Sequence, residues 1–238
     1  MSFSVVILAA GKGTRMKSEK PKVLHTVGNA SMLHHVMEVA KKAGAEETVI
    51  VAGHQAELIS EAAKRKSPDA QIVIQEKQLG TGHAVKQAER LLGKSGKDIL
   101  ILYGDVPFIK SETISKLIKV RKTCDIAVLG FDTKHPGMYG RLISNGENII
   151  GIVEAKDATQ EQLDISLCNS GVILGRADLI FDLITKIGCD NASKEFYLTD
   201  CIELAAKAGF KSSLVLCDEK ETTGVNSLEE LARAEELF

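Results

Sequence analysis

The sequence predicts an α/β fold in which a mainly parallel, Rossmann-like sheet is covered by helices on both faces. Over the first half of the 238-residue chain, short apolar runs rich in β-branched residues alternate with amphipathic segments. Strands separated by helices form right-handed crossover units, and these units place neighbouring strands parallel. A hydrophobic content of 44% with 26% charged residues is ordinary for a globular protein with a sizeable core. We therefore expect one domain over residues 1–238.

The elements of the first half follow from the two hydrophobic periods. Strands are expected at residues 4–9, 48–52, 71–75, 99–103 and 125–131. Helices are expected at residues 31–43, 81–92 and 112–122. The first of these helices has Ser31 in place as N-cap and Gly44 as its left-handed stop.

The second half is less regular and predicts a small antiparallel part, at about residues 132–176. Strands at 139–143 and 149–154 are expected to form a hairpin that turns through Asn145-Gly146. Further strands are expected at 169–174 and 212–216, and helices at 177–187 and 199–208. A last helix is predicted to begin at Ser227-x-x-Glu230, which has the form of a capping box.

Charge and cysteine usage exclude several classes of function. A net charge of -2 argues against general nucleic-acid binding, which requires a basic surface. The five cysteines form no CxxC pair, which is typical of reduced thiols and not of a disulfide framework or a zinc site. The apolar run at residues 3–10 is too short to span a bilayer and lacks the flanks of a signal peptide. We expect a cytoplasmic protein without a membrane partner.

The loop after the first strand has the composition of an anion-binding site. Gly11 and Gly13 allow the backbone to approach a bulky anion closely. Residues 12–22 contain five cations and a single anion, Glu19, which gives a local balance of +4. The spacing is not that of a Walker A loop, and Met16 stands where the dinucleotide fingerprint requires a third glycine. An ordinary βα turn with solvated charges remains an alternative on these features alone.

Several blocks of sequence together resemble one enzyme family. The run from Leu8 to Met16 (LAAGKGTRM), followed by Pro21-Lys22, is similar to the signature of sugar-phosphate nucleotidyltransferases. The likeness continues in order through QLGTGHA, LYGDVP, YGR, IVE, NSG, YLTD and GVN, and these blocks span almost the whole chain. In particular the chain resembles the uridyltransferase half of the bacterial bifunctional N-acetylglucosamine-1-phosphate uridyltransferase/glucosamine-1-phosphate acetyltransferase. The resemblance implies a GT-A-like nucleotidyltransferase fold.

The reaction that the resemblance implies is attack by a sugar-1-phosphate oxygen on the α-phosphate of UTP, with release of pyrophosphate. This displacement requires in-line positioning and compensation of phosphate charge. Arg15 and Lys22 would be the catalytic cations, since a guanidinium can hold two phosphate oxygens and an ammonium is a movable point charge. Asp105 and Asn226 would be the ligands of Mg²⁺. A strand-end aspartate that caps the next turn is the structural alternative for Asp105.

The resemblance also implies binding positions for both substrates. Gln75 with Gly80 and Thr81 resembles a uracil pocket, where an amide can both donate and accept, although Thr81 could equally be a helix N-cap. The sugar would lie against Gly104, Gly140, Glu154, Asn169 and Thr199, with Tyr139 on the same wall. The complete implied binding set is Leu8, Ala10, Gly11, Gly13, Gln75, Gly80, Thr81, Tyr103, Gly104, Gly140, Glu154, Asn169, Thr199 and Asn226.

The chain departs from the bifunctional family in two respects. It contains no hexapeptide repeat, so we expect no C-terminal β-helix acetyltransferase domain and a monomer or weak dimer. The run His135-Pro136-Gly137-Met138 also differs from the more acidic version of the family. Alternatives left open are another sugar-1-phosphate, CTP in place of UTP, and a catalytically silent nucleotide-sugar binding protein. The histidines form no evident catalytic or metal set.

Overall fold

The computed structural model describes residues 2–238, and its centre is a nine-stranded mixed sheet. The strands, in chain order, are β1 Phe3–Ala9, β2 Thr26–Val27, β3 Ala30–Ser31, β4 Glu47–Ala52, β5 Gln71–Ile74, β6 Asp98–Tyr103, β7 Ile126–Asp132, β8 Arg141–Asn145, β9 Asn148–Val153, β10 Leu167–Arg176 and β11 Ser212–Leu216. The helices are α1 Met32–Lys42, α2 Ala56–Lys66, α3 Thr81–Lys86, α4 Glu89–Leu92, α5 Ser111–Arg121, α6 Gln160–Leu163, α7 Ala177–Ile184, α8 Asp200–Lys207 and α9 Leu228–Leu237. Strands β2 and β3 form a separate two-stranded sheet.

The order of the large sheet is β5-β4-β1-β6-β10-β7-β11-β9-β8. The four strands β5, β4, β1 and β6 are parallel, and so is the pair β7 and β11. Strand β10 runs antiparallel between β6 and β7, and the hairpin of β8 and β9 adds an antiparallel edge. The sheet is therefore parallel in its first half and mixed over its full width. The carboxyl ends of β5, β1 and β6 meet at one edge of the sheet, where ligands bind in α/β proteins.

Both faces of the sheet are buried, as a parallel sheet requires. All seven residues of β1 are buried, and they alternate between the two faces. On one face, α1, α2 and α5 pack through Leu33, Val36, Ile59, Ile114 and Leu117. On the other face, α3, α4, α7 and α8 pack through Val85, Leu92, Ile180, Cys201 and Ile202. Helices thus cover both sides, as the hydrophobic pattern predicts.

The structure adds one helix to those predicted and divides another into two. Helix α2 is absent from the sequence predictions, because its inward face consists of Ile59 and two small alanines within a charged segment. The single helix expected at 81–92 is two helices, α3 and α4. They separate at Gln87 and Ala88, whose amides donate to the carbonyl three residues earlier and not four.

The predicted caps and turn are correct in part. Ser31 accepts a hydrogen bond from the His34 amide and Gly44 has a φ of +92°, so both ends of α1 are confirmed. The hairpin turns through Gly146-Glu147 and not Asn145-Gly146, because Asn145 already pairs with Asn148. At α9, the Ser227 hydroxyl accepts a hydrogen bond from the Glu230 backbone amide, as predicted. The Glu230 carboxylate, however, accepts from the backbone amide of Asn226 and not from that of Ser227, so the capping box is incomplete.

Two further features concern the hydropathy of the helices and the state of the cysteines. Within residues 2–238, no helix has both the length and the hydropathy needed to cross a membrane. All five cysteines are free, and three of them, Cys124, Cys168 and Cys201, are buried.

Candidate active site

Two adjoining cavities lie at the edge of the sheet where the parallel strands end. The strand-end cavity, of about 290 Å³, lies beyond the carboxyl ends of β1, β5 and β6. The hairpin cavity, also of about 290 Å³, lies between this edge and the hairpin of β8 and β9. Thr81, Tyr103 and Glu195 line both cavities and form the wall that the two share.

The structure brings most of the predicted site residues to these cavities. Nine of them line the strand-end cavity: Leu8, Ala10, Gly11, Lys22, Gln75, Gly80, Thr81, Tyr103 and Asp105. Six line the hairpin cavity: Thr81, Tyr103, Gly140, Glu154, Asn169 and Thr199. Tyr139, predicted on the same wall, also lines the hairpin cavity.

Four predicted residues lie outside the cavity walls. Arg15 is on the exposed surface of the loop, without a hydrogen bond to any described residue. Gly13 has a φ of +61°, and a Cβ there would lie 2.8 Å from Lys22 Cβ, so this glycine lets the loop pack against the lysine. Gly104 packs beneath the cavity, where a Cβ would lie 3.1 Å from Val23 Cγ1. Asn226 reaches the site through Lys22.

The loop after β1 presents a series of free backbone donors. None of the amides of residues 10–15 donates a hydrogen bond to another residue of the described chain, and the first amide that does is that of Met16. Consecutive free amides on one loop form a concave site for an anion. Four of the five cations of this segment, Lys12, Arg15, Lys17 and Lys20, make no salt bridge within residues 2–238. The segment therefore combines free amides with uncompensated positive charge.

Lys22 joins the loop to the end of β6. Its ammonium forms a salt bridge with the Asp105 carboxylate and donates to Asn226 Oδ1 at 2.9 Å. Both partners of the salt bridge are largely shielded, since the Lys22 and Asp105 side chains are 14% and 17% exposed. The Asp105 carboxylate is occupied by Lys22, so the alternative that it caps the next turn is not what the structure shows. The Glu230 carboxylate accepts a hydrogen bond from the backbone amide of Asn226 at 2.6 Å and holds that residue in place.

Asp105 and Asn226 are suited to a divalent cation. Their oxygens converge on a single cationic atom, Lys22 Nζ, so both can reach one small ion. A carboxylate and an amide oxygen are hard ligands of the kind Mg²⁺ binds, with water and phosphate oxygens completing its shell. Residues 2–238 contain no cluster of three or more His, Cys, Asp or Glu that could hold a metal by themselves. The donor set therefore fits an ion that substrate phosphates help to bind.

The Gln75 amide is held in one orientation at the end of β5. Its Nε2 donates to the Gly80 carbonyl and to His83 Nδ1, both at 3.0 Å, so both N–H groups are used. The prediction that this amide both donates and accepts is wrong, because only its oxygen is available to a ligand. Thr81 is not a helix cap either: Gly80 is the N-cap of α3, and the Thr81 hydroxyl accepts from the Leu198 amide at 3.0 Å.

Polar groups on the wall of the hairpin cavity are arranged around Glu154. The Thr199 hydroxyl donates to Glu154 Oε1 at 2.9 Å. Burial raises the pKa of Glu154, although the Thr199 hydrogen bond lowers it. A Cβ at Gly140 would lie 3.5 Å from Glu154 Oε2, so glycine keeps the approach to this carboxylate open. The wall thus offers an acceptor for hydroxyl groups.

An irregularity in β10 shapes one wall of the hairpin cavity. The pairing of β10 with β7 shifts register between Asn169 and Ile173. Within this bulge, Asn169 Oδ1 accepts from the Gly171 amide at 3.0 Å, which leaves the Asn169 amide nitrogen toward the cavity. Gly171 has a φ of +86°, and a Cβ there would lie 2.6 Å from Tyr103 Cε2. The bulge therefore packs against Tyr103 and aims Asn169, a common use of bulges near sites.

Sequence reasoning missed several residues at these cavities. Gln78 lines the strand-end cavity, Tyr197 lines the hairpin cavity, and Glu195 lines both. Glu195 is placed by backbone bonds of Phe196, whose amide donates to the Leu79 carbonyl and whose carbonyl accepts from the Gly82 amide, both at 2.8 Å. These contacts join segments more than one hundred residues apart. Gln78 and Tyr197 were signalled only by their positions within the QLGTGHA and YLTD blocks, and Glu195 lies outside every block.

Comparison with known proteins agrees with this geometry. A family model described as MobA-like NTP transferase domain matches residues 5–162. Bifunctional protein GlmU of Ruegeria sp. (strain TM1040) is 48% identical over 238 residues, which are 100% of this chain and 53% of that protein. The same protein of Cereibacter sphaeroides (strain ATCC 17025 / ATH 2.4.3) is 47% identical over 237 residues, 100% of this chain and 52% of that one. The chain spans about half the length of the curated relatives it matches.

Solved structures show the same fold. UDP-glucose pyrophosphorylase complexed with UDP-glucose has a TM-score of 0.78 at 19% identity, covering 100% of this chain and 98% of that one. HddC from Yersinia pseudotuberculosis has a TM-score of 0.71 at 21% identity, with 100% of both chains covered. The predicted α/β nucleotidyltransferase fold is confirmed, and so is the resemblance carried by the sequence blocks. The chain belongs to the family of MobA-like NTP transferase domains.

Proposed function

We propose that the chain converts UTP and N-acetylglucosamine-1-phosphate to UDP-N-acetylglucosamine and pyrophosphate, with Mg²⁺ as cofactor. The observation that carries the proposal is the convergence of Lys22, Asp105 and Asn226 at the strand-end cavity, which adjoins the hairpin cavity through Thr81, Tyr103 and Glu195. One cavity adjoins a loop with free amides, and the other is lined by groups that bind hydroxyls. A phosphoryl-transfer centre needs this arrangement, because its two substrates must meet in line at one phosphorus atom.

The nucleotide is assigned to the strand-end cavity. Its triphosphate would lie along the loop of residues 10–15, where the amides donate to phosphate oxygens. The base would lie against Gln75 and Gly80. Arg15 is exposed and uncommitted, so it can turn onto the β- and γ-phosphates once they are bound.

The sugar is assigned to the hairpin cavity. Glu154 accepts hydrogen bonds from sugar hydroxyls, and the Asn169 amide nitrogen donates to the sugar. The absence of a side chain at Gly140 leaves room for the ring or its N-acetyl group. Thr199 orients the Glu154 carboxylate from behind. Sugar and nucleotide then meet at Thr81 and Tyr103, which line both cavities.

The reaction follows from these placements. A phosphate oxygen of the sugar-1-phosphate attacks the α-phosphorus, and the bond from that phosphorus to the oxygen bridging to the β-phosphate breaks. Lys22 stabilises the charge that develops on the phosphate oxygens. The reaction requires no proton transfer from the protein. Asp105 and Asn226 would hold Mg²⁺, which would supply further compensation of phosphate charge when bound. The protein's contribution is positioning and electrostatics.

The cellular role and assembly follow as proposals from the same reasoning. UDP-N-acetylglucosamine is a precursor of peptidoglycan and lipopolysaccharide, and its synthesis from UTP would occur in the cytoplasm. Five free cysteines suit that compartment. We propose a monomer or a weak dimer, with small molecules and neither nucleic acid nor membrane as partners.

The experiment that tests the function is pyrophosphate release with UTP or CTP against a panel of sugar-1-phosphates, with and without Mg²⁺. We expect release that requires Mg²⁺ and is fastest with UTP and N-acetylglucosamine-1-phosphate. Asp105→Ala should lower kcat about a hundredfold or more, the scale seen when one group that stabilises charge is removed. Asp182→Ala is the matched control, since Asp182 is an exposed carboxylate on α7 whose one salt bridge within residues 2–238 is with Lys186. Release that survives Asp105→Ala unchanged would exclude the metal assignment, and no release with any pair would favour a silent binder.

A further inference from the structure

His83 lies directly behind the base-contacting residue of the strand-end cavity. It belongs to α3, and its imidazole Nδ1 is 3.0 Å from Gln75 Nε2. On its other side the residue borders a small separate cavity of about 90 Å³, with Lys86, Ile187 and Phe196. His83 does not line the strand-end cavity. It therefore contacts the site only through the Gln75 amide.

The partners of Gln75 determine which way its amide faces. The Gly80 carbonyl can only accept a hydrogen bond, so the atom 3.0 Å from it must be the amide nitrogen. The second N–H of this nitrogen points at His83 Nδ1, which must then be an unprotonated acceptor. Gln75 Oε1 accepts no hydrogen bond from the described residues. It is also not one of the fully buried side-chain atoms that lack a partner, so it keeps some accessible surface. The oxygen is thus the free end of the Gln75 side chain, a residue that is 2% exposed and lines the cavity.

The surroundings keep His83 in the neutral form that this arrangement requires. Burial lowers the pKa of His83, and the nearby charge of Lys86 lowers it further, while a hydrogen bond with the Lys77 backbone acts in the opposite direction. Gln87, one turn later, donates to the His83 carbonyl at 2.9 Å and holds this part of α3. With Nδ1 as the acceptor, Nε2 carries the ring proton, so its 3.3 Å contact with Gln87 Nε2 is not a hydrogen bond. With Nδ1 free as an acceptor, a flipped Gln75 amide would place two acceptors against each other at both His83 and Gly80.

We infer that His83 is a positioning residue that locks the Gln75 amide with its oxygen toward the nucleotide, and thereby makes the site select uracil over cytosine. The inference rests on the proposed function and adds to it the source of base selection. Uracil presents one donor on its pairing edge, N3–H, and Gln75 Oε1 can accept from it. Cytosine presents a lone pair at N3, so the same oxygen faces a second acceptor.

The variants His83→Leu and His83→Asn form a matched pair for testing this role. Leu and Asn have similar shape and size, but only Asn places an acceptor near the position of Nδ1. We expect His83→Leu to lower the UTP-to-CTP ratio of kcat/KM by about tenfold, because only the Gly80 carbonyl then opposes a flip of the amide and cytosine can stabilise the flipped form. His83→Asn should retain the wild-type ratio within about threefold. A change in overall packing would alter kcat/KM for both nucleotides together and leave the ratio unchanged.

Nucleotide binding, measured by calorimetry with UTP and CTP in the presence of Mg²⁺, separates this inference from the proposed function. If the wild type releases no pyrophosphate, the proposed function fails, and the ratio of the two dissociation constants still tests the role of His83. If His83→Leu does not fold, His83→Ala provides the same comparison with a smaller side chain. The inference is overturned if the wild type does not prefer UTP, if the Leu variant keeps the preference, or if the Asn variant loses it equally.

Discussion

Gly80→Ala tests how the two cavities are held together. Gly80 has φ +111° and ψ 174°, a region of backbone space that is essentially restricted to glycine. A Cβ there would lie 2.6 Å from the Phe196 carbonyl oxygen and 2.7 Å from its amide nitrogen. These two atoms make the hydrogen bonds that join the Glu195 segment to Leu79 and to Gly82 of α3. The substitution therefore strains the backbone at position 80 and displaces the Phe196 backbone at the same time.

The magnitude follows from these two effects. Backbone strain in this region costs about 2 kcal/mol, and each of the two hydrogen bonds contributes about 1 kcal/mol. We expect Gly80→Ala to lower the free energy of unfolding by about 4 kcal/mol. For a protein of this size that loss shifts the midpoint of urea denaturation down by more than about 1 M. The affinity for UTP should fall as well, because Glu195 would leave the shared wall.

Gly96→Ala is the matched control for strain without displacement. Gly96 also has a positive φ, +67°, but no atom lies within 4 Å of the place that a Cβ would occupy there. Its substitution should cost only about 1 kcal/mol and leave UTP binding unchanged. Equal shifts of the urea midpoint for the two variants would refute the reasoning, since contact with Phe196 would then contribute nothing.

Three further variants have calculable effects. Arg121→Met leaves the buried Asp98 carboxylate unpaired and should cost about 3 to 5 kcal/mol in urea unfolding, most of it recovered by adding Asp98→Leu. Thr199→Val removes the donor to Glu154 and should raise KM for the sugar phosphate about tenfold, with KM for UTP unchanged in steady-state assays. Burial raises the pKa of Asp200 to about 6, so the folded state holds this proton more tightly than the unfolded state and loses stability as pH rises toward 6. Asp200→Asn should therefore stabilise the fold by about 1 kcal/mol at pH 8, after allowance for solvent screening, and should have little effect at pH 4. Thermal melting of the variant and the wild type at the two pH values measures this difference.

The parts of the fold that depend on local pattern were predictable. Strand β1 is a continuous apolar run, and the structure buries all seven of its residues between two layers of helices. Because parallel strands end at one edge, the residues that follow β1, β5 and β6 had to lie near one another. Gly11, Gln75 and Asp105 do line one cavity.

Features that depend on long-range contacts were not predictable. Glu195 enters the site only because Phe196 bonds across to Leu79 and Gly82, and no local pattern encodes that pairing. The use of both Gln75 N–H groups depends in the same way on where Gly80 and His83 come to lie.

The most direct test of the central proposal follows the phosphorus atoms of UTP. UTP labelled at the α-phosphate and UTP labelled at the γ-phosphate are each incubated with N-acetylglucosamine-1-phosphate, Mg²⁺ and the protein, and the products are separated. Attack at the α-phosphorus predicts that the α-label appears in UDP-N-acetylglucosamine and the γ-label in pyrophosphate, with both signals lost in Asp105→Ala. Label released as inorganic phosphate, or no label in a nucleotide sugar, would contradict the proposal.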